Sequence, residues 1–84
     1  MVTLYDEGRF IRILAELPGI TEEKIKIDLD NGTKMVTIIA SDTGIFYKKE
    51  IITPCEVRFC KKRFFNSFLE ISFEKIDSPI LLIP

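Results

Sequence analysis

The strongest constraint on the fold comes from two stretches of alternating apolar and polar residues that are joined by a Pro-Gly pair. The first stretch runs from Arg9 to Leu17 and the second from Lys24 to Leu29, with Pro18 and Gly19 between them. Alternation with a period of two is typical of strands that bury one face. Proline has no N–H to donate to a sheet, and glycine accepts positive φ angles. The pair therefore predicts a corner at which the chain leaves one sheet and enters a second.

The rest of the chain supplies further short strands. The 84 residues suffice for one small domain, and isoleucine and phenylalanine are abundant. Side chains of this kind favour pleated surfaces. We expect seven strands and no convincing helix, with strand bounds 2–6, 9–17, 24–29, 35–41, 45–53, 58–65 and 68–73. The sequence thus predicts an all-β fold, an antiparallel immunoglobulin-like β-sandwich of about seven strands.

Short polar segments separate these strands and are predicted to form turns. They are Glu7-Gly8, Asp30-Asn31-Gly32, Asp42-Thr43-Gly44 and Asn66-Ser67. In the second of them Asn31 and Gly32 would supply the positive φ angles that tight hairpins require. The alternation also predicts the side chains that face the core from three strands: Ile11, Ile13, Ala15 and Leu17; Ile25, Ile27 and Leu29; Val36, Ile38 and Ala40.

Charge and hydropathy exclude several kinds of partner. Twelve basic and 13 acidic residues are mixed along the chain and give a net charge of −1, so no long-range field favours nucleic acid or an anionic membrane. No apolar run is long enough to span a bilayer, and the beginning of the sequence does not have the pattern of a signal peptide. We therefore expect a cytoplasmic protein. The basic and aromatic run 61–65 is compatible with single-stranded nucleic acid, but the acidic residues that balance it favour a solvated strand face.

Residues for covalent or metal chemistry are scarce. The sequence contains no histidine and only two cysteines, Cys55 and Cys60, which are too few for a zinc site or a disulfide framework. We expect one of them in a loop and one in a strand, both reduced. There is no Gly-rich phosphate loop and no recognisable nucleophile. The sequence predicts neither an enzyme nor a cofactor.

The final segment differs from the strands. Four consecutive aliphatic residues, Ile80 to Ile83, stand between Pro79 and Pro84. Prolines at both ends disfavour an interior strand, and nothing follows that would cover the aliphatic side chains. We therefore divide the chain into a sandwich domain, 1–75, and an extension, 76–84, that carries a docking motif.

Three of these features resemble the α-crystallin domain of the small heat-shock proteins. The segment Glu16-Leu17-Pro18-Gly19-Ile20, followed by an alternating strand, is similar to the core segment of that domain. The closing segment 60–71 is similar to the family signature Ala-x-aromatic-x-Asn-Gly-Val-Leu-x-Ile/Val, which Phe64, Asn66, Leu69 and Ile71 fit. The aliphatic run in 79–83 looks like the Ile-x-Ile/Val motif of the family. The resemblance covers nearly the whole chain in the same order.

The resemblance implies a stress-response chaperone, an ATP-independent holdase that binds partly unfolded clients and assembles into a dimer or a larger homo-oligomer. The groove or client-binding residues would be Ile25, Ile27, Leu29, Phe59, Cys60 and Phe64. The docking motif would be Ile80, Leu81, Leu82 and Ile83. For each strand residue, plain core packing is the competing interpretation, because inward strand positions are normally buried.

The sequence departs from the family pattern at several points, of which the missing swap loop and the missing N-terminal arm favour a different class. Ser67 stands where the family has glycine, and Lys62 replaces a small residue on the face expected to hold Cys60 and Phe64. The segment Asp42-Thr43-Gly44 is too short for the swapped strand by which many microbial members dimerise, so a dimer would use another surface, such as the edge of strand 45–53. The hydrophobic arm that precedes the domain in the family is also missing, which indicates a fragment or a minimal member. The alternative function is a monomeric adaptor that resembles the CS domain of co-chaperones.

Overall fold

The computed structural model describes residues 1–76, which form two antiparallel sheets. The strands are β1 (Val2–Glu7), β2 (Phe10–Glu16), β3 (Ile25–Asp30), β4 (Met35–Asp42), β5 (Ile45–Ile52), β6 (Val57–Phe65) and β7 (Phe68–Lys75). A four-stranded sheet has the order β1-β2-β7-β6, and a three-stranded sheet has the order β3-β4-β5. The predicted seven-stranded sandwich is confirmed. A three-residue 3-10 helix, Glu22–Lys24, lies in the charged connection before β3.

The Pro-Gly corner carries the chain from the first sheet to the second, as predicted. Gly19 has φ +81°, and a Cβ atom built at this position would lie 2.7 Å from Cδ1 of Ile45. A hydrogen bond from β5 also stabilises the corner: the Tyr47 hydroxyl donates to the carbonyl of Pro18 at 2.9 Å. Glycine is therefore required here both by the backbone conformation and by close packing.

The core lies between the sheets and is built from the alternating positions. Its fully buried members include Ile11, Ile13, Ala15 and Leu17 around β2, Val36, Ile38 and Ala40 of β4, and Leu69, Ile71 and Phe73 of β7. The predicted inward faces of β2 and β4 are thus confirmed. On β3 only Ile25 is buried, and Ile27 and Leu29 are half-buried. This difference arises because β3 is an edge strand, with no neighbour on one side among the residues that the structure describes.

The turn between β3 and β4 differs from the prediction. The loop spans 31–34, and its positive φ angle, +57°, belongs to Lys34 rather than to Asn31 or Gly32. The Asp30 carboxylate shapes the loop by accepting the Gly32 N–H at 2.9 Å, which is the side-chain contact of an Asx turn. The prediction of positive φ at Asn31 and Gly32 was wrong because a four-residue loop does not need the two consecutive left-handed residues of a two-residue hairpin.

The hairpin between β6 and β7 has the two-residue turn that the sequence predicts. Asn66 and Ser67 both have positive φ angles, +50° and +70°. Consecutive left-handed residues are typical of the type I′ turn, whose twist matches that of the flanking strands. Serine at the second position is strained, since only glycine adopts this conformation without steric cost.

Candidate functional site

An apolar groove lies between β3 and β6, the two edge strands on one side of the sandwich. Its volume is about 320 Å³, and its lining residues are Ile27, Leu29, Phe59, Lys62 and Phe73. Within residues 1–76, each of these strands has a hydrogen-bonded neighbour on one side only. The groove therefore offers apolar side chains together with unpaired backbone groups of a strand edge, which are the two elements that bind an extended segment.

A β-bulge in β6 decides which of its side chains enter the groove. Phe59 is paired with Phe73, but the next pairs are Lys61 with Ser72 and Lys62 with Ile71, so Cys60 is the extra residue. Residues directly opposite each other in an antiparallel pair share a face, and Phe73 and Ile71 face the core. Phe59 and Lys62 consequently face inward although they are three residues apart. Without the bulge, Lys62 would lie on the outer face.

The exposed aromatic ring of the groove rests on a buried one. Phe59 is 49% exposed, and its ring meets that of Phe73 edge to face, with 6.1 Å between the ring centroids. Phe73 itself is fully buried. This contact orients Phe59, and about half of the residue's surface remains open to a ligand.

The Asn31 side chain joins the two sheets at one end of the groove. Its Nδ2 donates to the carbonyl of Val57 at 2.8 Å, and its Oδ1 accepts the Val57 N–H at 3.1 Å. Asn31 follows β3 and Val57 begins β6, so the contact fixes the spacing of the groove walls. The described chain ends near this point, where the Ile76 N–H donates to the carbonyl of Glu56 at 3.0 Å.

The charge inside the groove is positive. Within residues 1–76 no ion pair involves Lys62, whereas Arg58 and Arg63 of the same strand pair with Glu74 and Glu70 at 3.0 and 2.9 Å. Those pairs lie on the outer face of the four-stranded sheet. Hydrogen bonds from Arg9 and Arg58 hold the pKa of the Glu74 carboxyl below its ordinary value of 4.5. Lys62 is therefore an unneutralised cation beside apolar walls.

The residues predicted for the site occupy different places. Ile27, Leu29 and Phe59 line the groove. Ile25 and Phe64 face inward and belong to or pack against the core. Cys60 is exposed at the bulge and is absent from the groove lining. The docking motif Ile80, Leu81, Leu82 and Ile83 lies outside the described residues.

Sequence reasoning missed two members of the site, Phe73 and Asn31. Phe73 follows the inward alternation of β7, but nothing in its sequence neighbourhood shows that it forms the base of a groove. Asn31 was predicted only as a turn residue, because asparagine before glycine is a common turn signal. A cross-sheet contact between residues 31 and 57 leaves no local signal.

On the opposite side of the sandwich, β1 and β5 are edge strands that no further strand of the described chain covers. On the outer face of β5, Phe46 is 67% and Ile52 is 60% exposed. Only Thr43 and Gly44 separate β4 from β5. Within the described part of the chain, no helix is long and apolar enough to cross a membrane.

Comparison with protein-family models and with curated proteins found no match. Several solved structures are similar. Heat shock protein 16.0 from Schizosaccharomyces pombe has a TM-score of 0.76 at 16% identity, over 93% of this chain and 74% of that one. A mutant of hsp14.1 from Sulfolobus solfatataricus P2 has a TM-score of 0.74 at 21% identity, over 93% and 72%. A small heat shock protein from Synechococcus phage S-ShM2 has a TM-score of 0.70 at 15% identity, over 92% and 86%.

These likenesses establish the fold. The two sheets have the α-crystallin arrangement of the small heat-shock proteins, as the Leu-Pro-Gly corner and the closing hairpin predicted. At these levels of identity the comparison concerns the fold alone. The function has to be argued from the groove and the free edges.

Proposed function

We propose that this protein is an ATP-independent holdase of the small heat-shock type, which binds partly unfolded proteins by burying their apolar side chains. The observation that carries the proposal is the open apolar groove between β3 and β6, within a fold that small heat-shock proteins share. Binding of this kind needs no nucleotide and no covalent step, because the burial of apolar surface supplies the free energy.

The groove is suited to weak and reversible binding. A Val, Leu or Ile side chain that enters it gains roughly 1.5–3 kcal/mol of transfer free energy before ordering costs are subtracted. Two such side chains give a weak complex with a single groove. Several grooves within one assembly would raise the apparent affinity by effective concentration. A holdase must release its clients, so individually weak sites are an advantage.

We further propose that segment 77–84 of one copy docks in the groove of a second copy. The segment contains Ile80, Leu81, Leu82 and Ile83, and alternate side chains of an extended peptide would fill the apolar lining. Replacing Ile80, Leu82 and Ile83 together with serine is expected to lower the solution mass measured by light scattering after size exclusion. An unchanged mass would contradict this docking.

The free edge of β5 offers a second self-association surface with a favourable register. If two copies of β5 pair antiparallel about Lys49, Phe46 lies opposite Ile52 of the second copy, and Lys48 lies opposite Glu50 of the second copy. The two most exposed apolar side chains of the strand then cover each other, and opposite charges meet. Lys49 of one copy would lie opposite Lys49 of the other. Repulsion between these two like charges limits the strength of the dimer.

The charge pattern of β5 allows a sharp test. Glu50→Lys places like charges opposite each other and is expected to weaken the dimer in sedimentation. Adding Lys48→Glu restores opposite charges across the interface and should restore the dimer. If the double variant stays as weak as Glu50→Lys, this register is wrong.

The holdase activity is tested by heating an aggregation-prone enzyme with a stoichiometric amount of the full chain and recording light scattering. Phe59→Ser is expected to reduce the protection, since it removes the exposed ring of the groove. Phe10→Ser is the matched control, because Phe10 is 41% exposed but lies on the outer face of the four-stranded sheet. A full chain that leaves client aggregation unaltered would refute the proposal.

One observation favours the alternative of a monomeric adaptor resembling the CS domain. The two-residue connection between β4 and β5 contains no strand that could be exchanged with a second copy. An adaptor would remain monomeric at all concentrations and would not delay client aggregation. Solution mass and the heating assay together distinguish the two functions.

A further inference from the structure

We propose that Lys62 makes the groove selective for aliphatic segments that carry a carboxylate, and that its partner is Asp77 in segment 77–84 of a second copy. The inference rests on the proposed docking of that segment. It adds a specificity determinant, because apolar lining alone would accept any aliphatic peptide of suitable size.

The position of Lys62 supports this role. It lies opposite the fully buried Ile71 in the register of β6 and β7 and, among the residues that the structure describes, is the only charged member of the groove lining. A lysine ammonium is a mobile point charge on a four-carbon stem, so it can follow a ligand along the groove. Lys62 is exposed in the isolated domain. A ligand that covers the groove would displace water around it, and a charge pair formed there would interact more strongly than on an open surface.

The acidic groups of the described groove walls leave this charge available. On β3, the strand that faces β6, Asp28 lies opposite Thr37 on the outer face. Asp30 accepts the backbone N–H of Gly32 in the following loop. On β7, Glu70 and Glu74 are engaged with arginines on the other face of the sheet. No carboxylate of these strands pairs with Lys62 within residues 1–76, so the lysine is available to a carboxylate that a docked segment brings.

Segment 77–84 has a complementary composition. It contains four aliphatic residues and a single charged one, Asp77. In an extended chain, Asp77 and Ile80 are at most about 10 Å apart, so the carboxylate and an aliphatic side chain of one docked segment can enter the same groove. One cation among apolar lining residues thus meets one anion in an aliphatic segment.

The test is a charge exchange in the full chain, with self-association measured by sedimentation over a concentration series. Lys62→Glu and Asp77→Lys are each expected to weaken association by about three- to tenfold, a range typical of one partly desolvated charge pair. The double variant restores the pair with reversed polarity, and its association should return to within about twofold of the original. Lys61→Glu is the matched control, because Lys61 lies opposite Ser72 on the outer face, and it should leave association unchanged.

The outcomes separate the charge pair from the docking itself. The proposal is overturned if the single variants associate like the parent chain, or if the double variant is as weak as the singles. If in that case the serine replacements at Ile80, Leu82 and Ile83 still dissociate the assembly, docking stands and only the role of Lys62 falls. If the serine replacements also leave the assembly intact, the proposed docking is contradicted as well. Circular dichroism spectra identify any variant that fails to fold. If Lys62→Glu does not fold, the neutral variant Lys62→Gln replaces it and should weaken association by a smaller factor.

Discussion

Replacing Asn31 with alanine should destabilise the sandwich, because this one side chain makes two hydrogen bonds between the sheets. The amide donates to the carbonyl of Val57 at 2.8 Å and accepts the Val57 N–H at 3.1 Å. Val57 is fully buried. Water therefore cannot easily replace the lost partners, and two backbone groups are left unsatisfied.

The size of the effect follows from these two bonds. A typical intramolecular hydrogen bond contributes about 0.5–1.5 kcal/mol to stability, so the loss of both is expected to cost about 1–3 kcal/mol. Domains of this size have a free energy of unfolding of roughly 4–13 kcal/mol. Asn31→Ala should therefore shift the urea midpoint visibly without unfolding the chain. The matched control is Thr33→Ala in the same loop, whose exposed hydroxyl lies 3.5 Å from the Asp30 carbonyl, and it should cost less than about 0.5 kcal/mol.

The assay combines global and local measurements. Equilibrium unfolding in urea gives the free-energy difference, and hydrogen exchange of the Val57 amide reports the local contact. In Asn31→Ala this amide should exchange faster by more than the global destabilisation accounts for, since it has lost its acceptor. If Asn31→Ala and Thr33→Ala unfold at the same urea concentration and the Val57 amide stays protected, the cross-sheet contact is not a stabilising element.

Three further changes have expected outcomes. Gly19→Ala should lower stability in thermal melts by about 1 kcal/mol or more beyond Gly8→Ala. Both glycines have positive φ, but only a Cβ at position 19 would meet Ile45, at 2.7 Å. Equal losses of stability in the two variants would contradict the packing argument. Ser67→Gly should raise stability by about 0.5–1 kcal/mol by relieving the strain of φ +70°, and a lower melting temperature would contradict this. The pKa of Glu74 is held below its ordinary value of 4.5 in the folded state, so its contribution is complete above that pH and is lost as the pH falls through the lowered value. Glu74→Gln should accordingly be less stable than the parent at pH 7 and approach it in acid, and a pH-independent difference would refute the role of the ion pairs.

The strands and the corner were predictable because each depends on a local pattern. The alternation in 9–17 and 24–29 corresponds to β2 and β3, and the Pro18-Gly19 pair marks the change of sheet between them. A side-chain period of two is fixed by strand geometry, and it identifies the buried face without knowledge of the neighbouring strands. The buried residues of β2 and β4 follow directly from it.

The groove was predictable only in part, because it depends on contacts distant in sequence. Residues of both β3 and β6 were predicted for the groove, but the bulge at Cys60 changes which residues of β6 face inward. A bulge adds one residue to one strand, and neither composition nor period reveals where. The Asn31 contact is likewise set by how the two sheets meet. Local pattern therefore gives the sheets, whereas tertiary contacts determine the composition of the groove.

An inward-facing lysine lies on an edge strand at each side of the sandwich, on β6 at one side and on β5 at the other. This placement connects solubility with selective binding. Lys62 faces inward on β6. On β5, Lys49 lies opposite the buried Ile38 of β4, and the Nζ of Lys49 is 5.7 Å from the centre of the Tyr47 ring. A hydrogen bond with Lys49 lowers the pKa of the Met1 amino group. Inward-facing charges at sheet edges oppose indiscriminate edge-to-edge pairing, since an apolar strand that covers them must desolvate an ammonium. A segment that brings its own carboxylate avoids this cost. The same two lysines would therefore keep the edges accessible in the isolated domain and favour the acidic aliphatic segments that the proposed assembly requires.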